Sequence, residues 1–354
     1  MKRRSPAVRP KQSRRAGHGA VTLSDVATAA GVAPITVSRA LNTPDTVSEA
    51  LRERIGAAVA ALGYVPNRMA GALASARTRV VPVIVPSLSN VVFVEVIAGI
   101  QETVEAAGYQ MLLGSTDYDL AREAALVATL LGWAPPGVLL AGLRHLPRTV
   151  ELLKTAAVPV VEFMEYGPRC IDMNVGLSHV RAGAAMAAHL RACGYRRLGF
   201  VGARMRDDYR ARQRYDGMNR HCIAAGDTTV TLFETLSCEA ANDSDQEVGW
   251  CALPEVLAAQ PRIEALFFAN DEMAVGAMLR ARRDGIAVPD RVAIAGFNGL
   301  PVSGLMTPGL TTITSPRRAI GQRAGAMLLA RINGDLSQRL RIDVGFTLEP
   351  RAST

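Results

Sequence analysis

A chain of 354 residues, 49% hydrophobic and with a formal net charge of +8, is long enough for two or three structural units with large cores. No apolar run approaches the roughly 20 residues that span a bilayer, and the basic start MKRRSPAVRPKQSRR has no apolar segment behind it, which is not the pattern of a secretory signal. The five cysteines, Cys170, Cys193, Cys222, Cys238 and Cys251, are odd in number and form no Cys-x-x-Cys pair, which argues against a disulfide framework or zinc site and for a reducing cytoplasm.

Charge is unevenly spread. Residues 1–79 hold 13 Lys/Arg and 4 Asp/Glu, and the remaining 275 residues are close to neutral. A basic module on a neutral body suits phosphate neutralisation and counterion release. Residues 1–19, with seven positive charges, Pro6, Pro10 and few apolar side chains, are expected to be a disordered tail that adds nonspecific attraction to DNA.

From Thr22 the chain reads TLSDVATAAGVAPITVSRALN. Thr22 followed by Asp25 is a capping-box pattern, and Leu23, Val26, Ala27 and Ala30 share one helical face. Gly31 suits the left-handed stop of that helix, and Pro34 suits the first position of the next. Val37, Ala40 and Leu41 are the expected buried positions of the second helix, which Thr43-Pro44 ends. Pro34, Ile35, Thr36, Ser38, Arg39 and Asn42 are left facing outward, a set that suits base edges and phosphates in a major groove. A third helix is predicted over Ser48 to Leu62, with Leu51, Ile55, Val59 and Leu62 inward and Gly63 as its stop. An αα-hairpin that merely packs would share this spacing.

DVAxxAGVxxxTVSRxLN followed by GYVPNRxAxxLA, over Val21 to Ala74, closely resembles the lactose-repressor (LacI/GalR) family of transcription regulators. The resemblance implies a helix-turn-helix domain over 20–64 and a hinge helix and linker over 65–79 that order on operator DNA. It adds Tyr64, Asn67, Arg68 and Leu73 to the DNA-binding residues, with Leu73 as a minor-groove wedge.

From Val80 the texture changes to β-branched apolar runs alternating with helical patterns: VVPVIVP, YQMLLGS, GVLLAG and VPVVEFM, then IDMNV, RLGFVG, TVTLF, ALFFAN and VAIAGF. In the second intervening helix Leu126, Leu130 and Trp133 are the expected inward positions, and GFTLEP would be a late strand. Such regular alternation in two groups predicts an α/β fold of doubly wound parallel sheets that face each other across a cleft. This region resembles the two-subdomain periplasmic-binding-protein-like core of the same family, serving effector binding and dimerisation over 80–354. The resemblance places chain crossings near Ser178, Thr307 and Asn333, giving subdomains of 80–178 with 308–333 and 179–307 with 334–354.

Polar residues at the strand ends are the candidate effector contacts: Asn90 and Phe93 with Ser87, Glu162 with Glu165, Arg204 and Arg214 with Arg212, Asn270, and Asn298 beside Phe297. Asp271 either caps the helix expected at Glu272 or touches ligand. By resemblance, Arg214 and Asn270 align with the family's effector-binding arginine and asparagine. Sugar-binding members usually carry aspartate where this chain has Asn298, and removing that negative charge favours an anionic effector. NxVFxEVxxGI, PRTxxxL, PVVExM, CIDMNVG and VGFTLEP look like the gluconate-utilisation repressors within the family. A sugar acid held by an Arg214 fork is therefore expected, with a phosphorylated or neutral sugar as the alternative.

There is no G-x-G-x-x-G opening a helix after a strand, no Walker A sequence and no G-x-S-x-G, and the five histidines show no metal spacing, so neither catalysis nor a cofactor is expected. A small-molecule binding protein or enzyme on an α/β core, or a nucleoid-like basic protein, would fit the composition but leave the N-terminal motif or the strand-end polar residues unused. One helix-turn-helix reads too little DNA for a specific site, so a homodimer on a pseudo-palindromic operator is expected. The absence of a heptad helix before Thr354 favours dimer over tetramer, and induction is the expected sign of effector control.

Overall fold

A computed structural model describes residues 21–65, 78–226, 230–234, 244–337 and 339–354. The chain divides into two compact units, Met1–Ala76 and Arg77–Thr354.

The first unit holds α1 (Leu23–Ala30), α2 (Pro34–Asn42) and α3 (Glu49–Leu62). The capping box at Thr22 is complete: the Thr22 amide donates to Asp25 Oδ2 at 2.8 Å, and the Asp25 amide donates to Thr22 Oγ1 at 3.3 Å. Val26, Ala27, Ala30, Val37, Ala40, Ile55 and Ala58 pack together, small residues that let short helices approach closely. Leu51 and Val59, partly buried, pack against this cluster as expected, and one expectation is corrected: Leu62 is exposed. Gly63 turns the chain back, with the Tyr64 amide donating to the Val59 carbonyl at 3.0 Å, so Tyr64 takes the core position expected of Leu62. The tail 1–19, the stretch 66–77 with Asn67, Arg68 and Leu73, the Asn42 side chain and Cys238 lie outside the described residues.

The second unit is built on two six-stranded sheets. The first contains β1 (Val80–Val85), β2 (Gln110–Ser115), β3 (Val138–Ala141), β4 (Val160–Glu165), β5 (Met173–Leu177) and β11 (Arg341–Asp343), in the order β11-β5-β4-β3-β1-β2. The second contains β6 (Leu198–Gly202), β7 (Thr231–Glu234), β8 (Ala265–Phe268), β9 (Ala293–Asn298), β10 (Thr311–Thr314) and β12 (Thr347–Glu349), in the order β12-β10-β9-β8-β6-β7. Every pairing is parallel except β10 with β12. The β1, β3, β4 and β8 side chains are buried on both faces almost throughout, as runs without alternation require. The intervening helices are α4 (Val92–Ala106), α5 (Leu120–Leu131), α6 (Pro147–Ala156), α7 (His179–Ala192), α8 (Tyr209–Ala224), α9 (Asp245–Ala259), α10 (Asp271–Asp284), α11 (Pro301–Leu305) and α12 (Arg317–Ile332).

The strand memberships correct two crossing points. β10 belongs to the second sheet, so the chain leaves that sheet after Thr314 rather than near Thr307. β11 then pairs with β5 in the first sheet, so the return falls between Asp343 and Thr347 rather than near Asn333. Trp133 is 43% exposed, not inward, because α5 ends at Leu131 and its helical phase does not extend to 133. Among the described residues, no helix is long and apolar enough to cross a membrane.

Candidate functional site

The exposed side of α2 carries Pro34, Ile35 and Arg39, with Thr36 and Ser38 half-buried. Ile35 is 62% exposed, an apolar side chain left uncovered among the described residues. No side chain caps α2, so the positive end of the helix dipole is left for an anion such as a backbone phosphate. Tyr64 contributes to this unit as core, not as an exposed contact.

In the second unit a cavity of about 430 Å³, open solvent at its mouth included, lies where the strand ends of the two sheets meet. It brings together Asn90, Phe93, Arg214, Asn270 and Asn298 from the expected set. Asn90 is fixed by its Oδ1, which accepts from the Val92 amide at 3.1 Å, and Phe93 is fully buried beside it. Asn270 caps α10: its Oδ1 accepts from the Met273 amide at 2.9 Å, while its Nδ2 donates to Asp245 Oδ2 at 2.8 Å. Asn298 ends β9 at φ 118°, a conformation that asparagine tolerates better than most residues.

The close crossing of α7 and α8 sets Arg214. A Cβ at Gly183 would fall 1.9 Å from the Arg214 carbonyl, and one at Gly217 would fall 2.0 Å from the Val180 carbonyl. Only glycine permits this approach, and it brings Arg214 Nη1 to 2.9 Å from His179 Nδ1. Nη2 donates to the Ala269 carbonyl at 2.8 Å, and the guanidinium lies 4.2 Å from the Phe297 ring centre. Each terminal nitrogen thus spends one of its two N–H groups within the protein and keeps the other. Only Nε is buried without a partner. Burial, with Arg210 acting in the same direction, lowers the Arg214 pKa to about 10 despite the opposing Asp208.

Glu162 and Arg204 are not in the cavity. Glu162 lies in the first sheet, where Oε1 meets His145 Nε2 at 3.2 Å and Oε2 accepts from the Ile171 amide. His145 also meets Glu123 Oε1 at 2.8 Å through Nδ1. Burial alone would lower the His145 pKa, but the two carboxylates raise it to about 9. Glu162 therefore serves a buried charge cluster that ties the loop after β3 to α5 and β4. Arg204 is exposed, its guanidinium 5.8 Å from the Tyr118 ring. Arg212 is exposed too, paired with Asp216 at 3.1 Å. Glu165 is buried and accepts from Gln213 Nε2 at 2.6 Å. Asp271 neither caps α10 nor lines the cavity; it accepts from the Leu300 amide at 2.7 Å, Ser303 Oγ at 2.8 Å and Thr312 Oγ1 at 2.6 Å.

The cavity also holds His179, Arg210, Tyr118 and Asp208, which the strand-end reading missed. Arg210 is buried, lies 5.5 Å from the Phe93 ring centre, and has an Nη1 with no hydrogen-bond partner. Burial disfavours its charge, but Tyr209, Tyr118, Asp208 and Glu165 together raise its pKa, so it stays cationic. The signal was available in helical phase: positions 210 and 214 share a face of α8, and 212 lies away from it. Two guanidiniums, each with an unspent N–H, thus face one cavity whose lining contains a single carboxylate, Asp208.

A helix-turn-helix unit followed by a two-sheet body with a buried polar cleft defines a DNA-binding regulator of the ligand-responsive kind. Residues 22–67 match the model for bacterial regulatory proteins of the lacI family, and residues 187–354 match the periplasmic binding protein-like domain. The chain is 39% identical to the HTH-type transcriptional regulator GntR of Pseudomonas aeruginosa, covering 95% of this chain and 96% of that one. It is 36% identical to the HTH-type transcriptional regulator GntR of Escherichia coli, over 94% and 98% of the two chains. The crystal structure of a LacI-family transcriptional regulator from Silicibacter pomeroyi superposes with a TM-score of 0.87 at 36% identity, over 94% and 99% of the two chains. The chain belongs to the LacI family of transcription regulators. It is a DNA-binding regulator, not an enzyme.

Proposed function

We propose that this regulator represses a sugar-acid catabolic operon of the gluconate type, and that a small anionic effector bound in the cavity releases it from operator DNA. The observation that carries this reading is the pair of buried guanidiniums, Arg210 and Arg214, each with an N–H left over. Two like charges held near each other in a low-dielectric site repel, and an anion between them relieves that repulsion while satisfying both donors. Asn270 and Asn298, at the same cavity, suit ligand hydroxyls. Titration calorimetry with gluconate, 6-phosphogluconate and glucose tests this: the acids should bind and glucose should bind least. Tighter binding of glucose than of either acid would refute an anionic effector.

On DNA, α2 is proposed to enter the major groove through Pro34, Ile35, Thr36, Ser38, Arg39 and Asn42. The stretch 65–79, with Asn67, Arg68 and Leu73, is proposed as a hinge that orders at the operator dyad. A cytoplasmic homodimer supplies two such units, so selection from a random duplex pool at about 0.15 M salt should recover a two-fold motif. Recovery of sequences without two-fold symmetry would count against it.

A further inference from the structure

Below the guanidinium pair lies a third donor whose chemistry is set by its neighbour. Arg214 Nη1 and His179 Nδ1 are 2.9 Å apart. A guanidinium has only donors, so His179 Nδ1 must accept, and a neutral ring then carries its proton on Nε2. A doubly protonated ring would set one N–H against another. Burial, followed by the charges of Arg214 and Arg210, holds the His179 pKa well below its usual value, so the neutral form prevails. His179 is buried at the first position of α7, its ring 5.6 Å from that of Phe297, and it lines the cavity. Nε2 is fully buried and has no hydrogen-bond partner. The Met164 backbone acts against burial and the two charges and favours a proton on the ring. Met164 itself, at φ 79°, holds an uncommon backbone conformation at the cavity wall.

We propose that His179 is a specificity-determining residue of the effector site: its Nε2–H donates to an oxygen of the bound sugar acid, and Arg214 is the positioning residue that fixes this tautomer. The proposal rests on the anionic-effector reading above. It gives a role to the Arg214–His179 bond, which uses one N–H of the guanidinium. With Arg210 Nη1 and Arg214 Nε, His179 Nε2 makes three buried nitrogen atoms without a partner, from three side chains that line the cavity. A ligand end rich in acceptors, a carboxylate with a neighbouring hydroxyl or keto oxygen, matches that set, whereas an amine or a methylated sugar does not.

Two substitutions separate the roles of the two ring nitrogens. His179→Asn puts an amide oxygen near the Nδ1 position, keeping an acceptor for Arg214 while removing the outer donor. His179→Gln carries an amide N–H to about the Nε2 position. By calorimetry on the full-length protein, gluconate affinity should fall about tenfold or more in His179→Asn and be largely restored in His179→Gln. In wild type, nitrogen-15 spectra at pH 7 should show His179 as the Nε2–H tautomer, with that proton shifting when gluconate binds. Equal gluconate affinity in wild type and His179→Asn, or an Nδ1–H or doubly protonated ring, overturns the donor role. Failure of wild type to bind gluconate while operator binding persists overturns instead the anionic-effector reading on which the proposal stands.

Discussion

Arg210 is the residue that should separate acid from neutral ligands most sharply. Replacing it with methionine keeps the stem that packs beside Phe93 and removes the charge and the free Nη1. The loss has two parts. One charge-assisted hydrogen bond in a buried site contributes about 1.5–3 kcal/mol. Removing one partner of a desolvated charge pair costs about 3–5 kcal/mol in total, because the ligand carboxylate is left short of a counter-charge. Arg214 remains, so the lower end applies, and about 3 kcal/mol corresponds to a roughly 150-fold weaker gluconate. The matching lactone lacks the charge and should weaken by less than about tenfold. Arg214→Met should behave differently: it also breaks the bonds to His179 and the Ala269 carbonyl, so thermal stability should fall together with affinity. Calorimetry with gluconate and gluconolactone, alongside melting curves, makes the comparison. Equal weakening of acid and lactone in Arg210→Met would refute the assignment of Arg210 to the carboxylate.

Asn298→Asp introduces a carboxylate that competes with ligand for the same guanidiniums; gluconate affinity should fall about tenfold or more, and glucose affinity should change less. The raised pKa of His145 predicts a pH dependence of stability. The folded value, about 9, lies above the ordinary 6.5, so about 3 kcal/mol of stability is fully present below pH 6.5 and is lost as pH rises through 9. Urea unfolding followed by fluorescence of Trp133 and Trp250, both in the second unit, should show this loss; an identical slope in Glu123→Gln would remove the cluster as its source. Arg39→Ala should weaken operator binding, and if Arg39 meets a phosphate the salt dependence of log K should decrease by about one; unchanged affinity and slope would take Arg39 off the interface.

The parts of the fold that were legible in the sequence are those fixed by local rules. Thr22 with Asp25, Gly31, Pro34 and Gly63 mark helix ends through backbone requirements that neighbours cannot override. The buried parallel strands were legible because they lack alternation, but that property also concealed Glu162. In β4 every side chain is buried, so a glutamate there gives no sign of which face it takes, and its partner His145 comes from a separate loop. The crossings near Thr307 and Asn333 were placed by resemblance, and nothing in the local sequence corrects them, because β10 and β11, TTIT and RID, are short and partly polar and read like connections. Arg210 was hidden in the mixed charges of RDDYRARQR; its burial comes from Phe93 and Tyr118, more than 90 residues away in sequence.

The same helix that presents Arg210 and Arg214 also joins the two halves of the effector-binding body. On the first turns of α8, Tyr209 Oη accepts from the Leu143 amide at 3.0 Å, and Gln213 Nε2 donates to Glu165 at 2.6 Å, both partners lying on the side of the first sheet. Gly142, at φ 93°, leaves room for this: a Cβ there would fall 1.9 Å from Tyr209 Oη. A ligand that engages Arg210 or Arg214 therefore acts on an element already bonded across the cleft. Any shift of α8 toward the ligand must be matched by these cross-cleft bonds or break them, so binding favours one arrangement of the halves over another. That difference is what effector control of DNA binding requires, since a ligand with equal affinity for two arrangements shifts neither. Linkage makes any such effect reciprocal: the factor by which an effector changes operator binding is the factor by which operator changes effector binding. The Tyr209 and Gln213 contacts are where α8 is bonded to the other half, so Tyr209→Phe and Gln213→Ala are expected to change that factor, read as the shift in operator affinity on adding effector.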